Sequence, residues 1–135
     1  MNRVVHFEIH AEDPARASKF YSDVFGWDIQ KWGDMPYWVV MTKGKDKSED
    51  TSKWPGIDGG LVPRKGAAPE DGAATNAFVC TMDVENLDAM LTSVNTAGGT
   101  TVVPKYAIPT MGWIAYCKDT EGNIFGMMQA DPTAK

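Results

Sequence analysis

Pro55-Gly56-Ile57-Asp58-Gly59-Gly60-Leu61-Val62 and Glu121-Gly122-Asn123-Ile124-Phe125-Gly126-Met127-Met128 decide how this chain is read, because each closes the same pattern. Both contain Gly-x-x-x-Gly followed by two apolar residues, and 66 residues separate Gly60 from Gly126. Upstream of the first, Phe20-Tyr21-Ser22-Asp23-Val24-Phe25-Gly26-Trp27 ends a helical run; upstream of the second, Leu91-Thr92-Ser93-Val94-Asn95-Thr96-Ala97-Gly98-Gly99 ends another. A short strand-like stretch precedes each run. A period of roughly 70 residues is too long for a solenoid repeat and suits one supersecondary unit used twice.

The first copy starts with Val4-Val5-His6-Phe7-Glu8-Ile9-His10, whose period of two predicts a strand with Val5, Phe7 and Ile9 on one face and His6, Glu8 and His10 on the other. Asp13 is placed as an N-cap, with Pro14 at the first helical position. Ala17, Phe20, Tyr21, Val24 and Phe25 then recur at helical spacing up to Gly26, a C-terminal glycine. Trp27 to Trp32 and Tyr37 to Thr42 read as a hairpin around Gly33-Asp34-Met35-Pro36, Lys43 to Lys53 as an exposed loop, and Ile57 to Pro63 as a fourth strand.

Arg64 to Thr75, rich in Gly, Ala, Pro and acid, reads as a linker. The order then recurs: a strand over Ala77 to Met82, a helix over Val84 to Ala97 stopped by Gly98-Gly99, and strands over Thr100 to Val103, Gly112 to Lys118 and Ile124 to Gln129. The predicted fold class is α+β: two βαβββ modules with curved mixed sheets around an open barrel-like cleft. One domain covers residues 1–135, with module one over about 1–64, the linker over about 65–75 and module two over about 76–131.

Composition narrows the function classes. With 135 residues, 43% hydrophobic and 23% charged, the chain has the make-up of one soluble globular domain. A net charge of −5 argues against a nucleic-acid surface or an anionic membrane as partner. No apolar run approaches a membrane span and no signal-peptide core follows Met1, so the expected compartment is the cytoplasm. The two cysteines, Cys80 and Cys117, lie in apolar strand-like stretches and read as buried reduced thiols. No Gly-x-Ser-x-Gly, phosphate loop or dinucleotide fingerprint is present, and neither cysteine has a basic neighbour in sequence to activate it.

Asp13-Pro14-Ala15-Arg16-Ala17-Ser18-Lys19-Phe20-Tyr21, running into Val24-Phe25-Gly26-Trp27, and Asp119-Thr120-Glu121-Gly122-Asn123 before the last strand resemble the strand-helix junction and the acidic turn of the vicinal oxygen chelate superfamily. That superfamily includes glyoxalase I, bleomycin-resistance proteins and extradiol dioxygenases. The likeness spans nearly the whole chain, and Phe7-Glu8-Ile9 and Phe125-Gly126-Met127-Met128-Gln129 resemble its glyoxalase-related group most. It implies the fold strongly and the function weakly, because neither stretch is a catalytic motif. It also implies where a divalent metal would be held, by residues from the first and last strand of each half. His6, fifteen residues before Tyr21, matches the first such position. The others fall at or beside Gly60, at Val79 and at Gly126, and none of these three residues has a side-chain donor atom. One imidazole does not hold a catalytic ion against water, so neither a metal nor another cofactor is expected. The alternative is a metal-dependent lyase or isomerase of glyoxalase type with an unusual ligand set. Two of His6, Glu8 and His10 would act with Asp58, since alternate strand residues stand about 7 Å apart and all three cannot reach one ion.

The favoured expectation is a protein that binds a small aromatic or planar molecule in an apolar cleft. Trp32, Tyr37, Trp38, Trp54, Trp113 and Tyr116, with Met111, Met127 and Met128, are placed along its strands, about half of them facing the helices by alternation. Trp38, Gly60, Trp113, Tyr116, Gly126 and Met128 are the candidate ligand-binding residues, the glycines leaving room where metal ligands would otherwise stand. Glu8 and His6 are the candidate catalytic residues, expected as a hydrogen-bonded pair on the cavity wall, with Glu8 accepting from a ligand or acting as a base. The expected partners are a small-molecule ligand and a second copy in a homodimer, the linker allowing the modules to pair within a chain or swap between chains.

Overall fold

The computed structural model describes residues 1–44, 55–76 and 78–135. It has an α+β fold in which the order strand-helix-strand-strand-strand occurs twice. The elements of the first module are β1 (Val4–Ala11), α1 (Pro14–Phe25), β2 (Asp28–Lys31), β3 (Trp38–Met41) and β4 (Gly59–Pro63). Those of the second are β5 (Val79–Asp83), α2 (Leu87–Thr96), β6 (Thr100–Ile108), β7 (Gly112–Lys118) and β8 (Ile124–Ala130). Strand order is β2-β3-β4-β1 in the first module and β5-β8-β7-β6 in the second. In each, the first and last strands run parallel and the remaining pairs antiparallel, so both sheets are mixed. By contact density the chain divides into His6–Phe78 and a unit of Val79–Lys135 with Met1–Val5. Asn2 N donates to Asp83 O at 2.6 Å and Asp83 N to Arg3 O at 3.0 Å.

Helix α1 forms where its caps place it. The Asp13 carboxylate accepts from Arg16 N at 3.0 Å, Pro14 occupies the first turn, and Gly26 (φ +71°) closes the helix by donating to Ser22 O at 3.0 Å. Ala17 and Tyr21 pack on a core of Phe7, Ile9, Ala11, Val40 and Leu61, joined by Trp27, Ile29, Trp38 and Ile57. Helix α2 starts three residues later than the apolar spacing predicts, because Asn86 caps it by accepting from Ala89 N at 2.9 Å. Val84 still enters the second core, with Leu87, Ala115, Cys117 and Met127. Strand β6 runs five residues past its predicted end. Its register slips on either side of Val103, the second slip spanning Pro104, which has no N–H for the ladder and is tolerated on the last strand of the order.

Cys80 and Cys117 are both unpaired, and burial pushes the Cys117 thiol pKa up. Among the described residues no helix is long and apolar enough to cross a membrane. Trp54 and residues 45–53 of the predicted exposed loop lie outside the described residues.

Candidate functional site

Alternation in β1 turns Phe7, Ile9 and Ala11 toward α1 and puts His6, Glu8 and His10 on the other face. Across that open face the register forms one row: Glu8 stands opposite Gly60, Gly60 opposite Val39, and Val39 opposite Gln30. Gly60 leaves no vacancy in this row. A Cβ built on it would overlap the Tyr37 hydroxyl and ring, so the tyrosine already fills the volume a side chain at 60 would need. This corrects the expectation that Gly60 leaves room for a ligand.

Tyr37 is fixed at the start of β3. Its N–H donates to Met35 O at 2.8 Å, its carbonyl accepts from Trp32 N at 2.8 Å, and its ring meets Trp32 edge-on at 5.8 Å. From there its hydroxyl reaches His6 Nε2 at 3.0 Å. The Nε2 partner of His6 is therefore Tyr37, where the sequence leads one to expect Glu8. Glu8, only 9% exposed, acts on both groups through its charge. Burial lowers the His6 pKa below its ordinary value, and the charges of Glu8 and Asp58 partly oppose that. Burial, helped by Glu8, pushes the Tyr37 phenol up to about 12. At neutral pH the pair is thus an uncharged phenol bonded to an uncharged imidazole beside a buried carboxyl group.

Two other sequence candidates are committed elsewhere. Asp58 Oδ1 accepts from Thr42 N at 2.8 Å and from Thr42 Oγ1 at 3.1 Å, tying the residues before β4 to the end of β3. His10 is exposed, and its carbonyl accepts from the Arg64 guanidinium at 2.8 Å. Trp38 is also corrected: opposite the fully buried Leu61, it packs in the α1-side core, with the Lys31 ammonium 5.6 Å from its ring centroid.

The second module repeats the arrangement with different chemistry. Thr81 stands opposite Gly126, Gly126 opposite Tyr116, and Tyr116 opposite Val103. The next row is Asp83, Met128, Ile114 and Tyr106. A Cβ on Gly126 would lie 2.7 Å from Thr81 Oγ1 and 3.2 Å from Tyr116 Cε1. Tyr116, Gly126 and Met128 thus share the face away from α2. Trp113 does not: it packs in the α2-side core, donates from Nε1 to Asp131 Oδ2 at 3.0 Å, and has the Lys105 ammonium 5.1 Å from its ring centroid. Met127 lies in the same core. Two residues are not legible in the pattern alone, Tyr37 as the partner of His6 and Thr81 as the residue facing Gly126. The available signal was the pair of glycines, since a strand glycine invites a neighbouring ring or hydroxyl to close over it.

A divalent ion does not suit this donor set. His6 has its Nε2 engaged by Tyr37, a phenol held up near 12 is a poor source of phenolate, and positions 60, 79 and 126 supply no side-chain donor. Among the described residues no group of three or more His, Cys, Asp or Glu side chains could hold an ion.

Residues 3–44 match the family model described as bleomycin resistance protein-like N-terminal. Two curated mycobacterial proteins provisionally named glyoxylase CFP32, from Mycobacterium bovis and Mycobacterium tuberculosis, are each 23% identical over 128 residues. That match covers 92% of this chain but only 44% of each relative, so the chain spans less than half the length of the curated relatives it matches. A glyoxalase/bleomycin resistance protein/dioxygenase superfamily member from Vibrio splendidus superposes with a TM-score of 0.61 at 16% identity, covering 96% of this chain and 99% of its own. Streptomyces coelicolor methylmalonyl-CoA epimerase, in complex with 2-nitronate-propionyl-CoA, superposes with a TM-score of 0.59 at 17% identity, covering 100% and 99%. At these identities the superpositions show a shared fold.

Proposed function

We propose that this chain, which resembles the vicinal oxygen chelate superfamily in its fold and its N-terminal sequence, binds a small aromatic or planar molecule without that superfamily's metal centre. The observation that carries the reading is the Tyr37–His6 hydrogen bond laid over Gly60. One metal-ligand position is thereby engaged by a phenol, and a second is sterically closed by the same ring.

The open face of the first module supports binding in its own right. A hollow of about 250 Å³ is lined by Asp28, Gln30, Val39 and Met41 on β2 and β3, with Gly60 on the next strand and Glu8 on the one after it. Its volume falls just below the range of about 300–1,000 Å³ usual for small-ligand sites, which suits only a very compact molecule. Val39 and Met41 offer apolar contact, while Glu8 accepts a hydrogen bond from a ligand hydroxyl or amine. If a reaction follows binding, Glu8 is the group placed to take a proton, with the uncharged His6–Tyr37 pair beside it to hold a ligand oxygen. Trp38, now assigned to the α1-side core, drops out of the binding wall of the first module, which leaves Tyr37 and Met41 there to contact a planar ring.

Native mass spectrometry of protein purified without chelator tests the reading. The expected result is a mass excess that leaves on denaturation as an organic molecule. A mass excess equal to one zinc, nickel, manganese or iron ion per chain contradicts it and favours the metal-dependent lyase or isomerase instead.

A further inference from the structure

On the face of the second module away from α2, Thr81, 2% exposed, carries a buried hydroxyl with no hydrogen-bond partner among the described residues. Burying a polar atom unpaired costs stability, and each such atom in a native fold calls for a physical reason. Its surroundings show where it points. It stands opposite Gly126, lies 2.7 Å from the place a Cβ at 126 would take, and is flanked there by the Tyr116 ring edge. The adjoining row presents Met128 and Ile114, both apolar, between Asp83, whose carboxylate accepts from Arg3 N at 2.9 Å, and Tyr106.

We propose that Thr81, Gly126, Tyr116 and Met128 form a subsite for the uncharged carbonyl group of a planar ligand, with Thr81 Oγ1 as hydrogen-bond donor. The inference rests on the small-molecule reading above and adds the chemistry of the molecule. A carboxylate or ammonium would lose its hydration against a side chain this enclosed, and a single hydroxyl does not repay that loss. A carbonyl oxygen asks for one donor, which a threonine hydroxyl has. The tyrosine edge and the soft thioether of Met128 suit the face of an attached ring. Glycine at 126 matters because any side chain there would lie against the donor itself. The ligand enters by displacing the edge of the half-buried Tyr116 ring.

Amide spectra of the parent, titrated with benzamide and separately with toluene as a carbonyl-free control, test the subsite. Benzamide should shift the signals of Thr81, Tyr116 and Gly126 saturably. Thr81→Val, which keeps the shape and removes the hydroxyl, should weaken benzamide about fivefold and leave toluene within about twofold. The same substitution should raise the melting temperature of the ligand-free chain, because it removes an unpaired polar atom. The proposal is overturned if benzamide leaves those three amides unmoved, if the valine variant binds benzamide as the parent does, or if that variant melts lower. The last outcome would mean that the hydroxyl is satisfied by an internal water. Failure of the subsite alone leaves benzamide shifts at His6, Glu8 and Tyr37, whereas uptake of one metal ion at His6 sinks the binding reading and the subsite with it.

Discussion

Replacing Gly60 by alanine should damage this chain in a way that removal of Tyr37 repairs. Gly60 is not among the residues with positive φ, so its backbone accepts alanine, and the substitution alone would stabilise by about 0.4–1 kcal/mol through the unfolded chain. Against that, the new methyl overlaps the Tyr37 hydroxyl and ring, and overpacking of this kind costs about 1–3 kcal/mol. Moving the ring also breaks the 3.0 Å bond to His6 Nε2, worth about 0.5–1.5 kcal/mol. The net expectation is a loss of roughly 2 kcal/mol. In a Tyr37→Ala background both penalties are already gone, so Gly60→Ala should be neutral or slightly stabilising. The coupling energy between the two sites is then about 2–3 kcal/mol. Urea unfolding at fixed temperature, followed by tryptophan fluorescence on the parent, both single variants and the double variant, measures it. Additive effects, or a Gly60→Ala protein as stable as the parent, would refute the claim that Tyr37 occupies the place of a side chain at 60.

Three further outcomes follow from the same geometry. Glu8→Gln should weaken binding of the molecule identified by native mass spectrometry by roughly 1–3 kcal/mol, with little change in the urea midpoint, since Gln keeps the shape and loses the charge; unchanged affinity in calorimetry contradicts the role given to Glu8. The pH dependence has a definite sign at both ends. The unfolded chain takes up a proton at His6 more readily than the folded chain, so this contribution is complete above pH 6.5 and is lost as pH falls below it. Tyr37 keeps its proton longer when folded, so its contribution is complete below pH 10 and is lost as pH rises toward about 12. An ultraviolet titration should show a tyrosine ionising near 12 that Tyr37→Phe removes, and a chain whose tyrosines all ionise near 10 contradicts it. Self-association is expected because α1 leaves Phe20, Val24 and Phe25 more than half exposed on its outer side; sedimentation at micromolar concentration should show a dimer, and a clean 14.8 kDa monomer rules it out.

What the sequence reveals of this molecule is whatever is decided locally. The Asp13 cap, Pro14 and Gly26 bound α1 by chemistry within a few residues, and the alternation of β1 assigns Phe7 and Glu8 to opposite faces without knowledge of any partner strand. The faces of Trp38 and Trp113 depend instead on register with β4 and β8, which no local pattern states. Trp38 follows the buried Leu61, and Trp113 stands opposite Gln129, whose Oε1 accepts from Leu87 N at 2.8 Å at the start of α2. The closure of Gly60 was hidden for a similar reason. A glycine shows that a side chain is missing, but what occupies its volume comes from Tyr37, 23 residues earlier and just ahead of a different strand. Thr81 became significant only when the register set it against Gly126 and left its hydroxyl without a partner among the described residues.

The central claim is that Tyr37 engages His6 and fills the space at Gly60, two positions where the resemblance to the vicinal oxygen chelate superfamily would place metal ligands, and metal titration with His6 as the internal control tests it most directly. Calorimetric titrations of the parent and of His6→Ala with zinc and with nickel should show no stoichiometric site that depends on His6. One equivalent bound tightly by the parent and lost in the alanine variant would contradict the account.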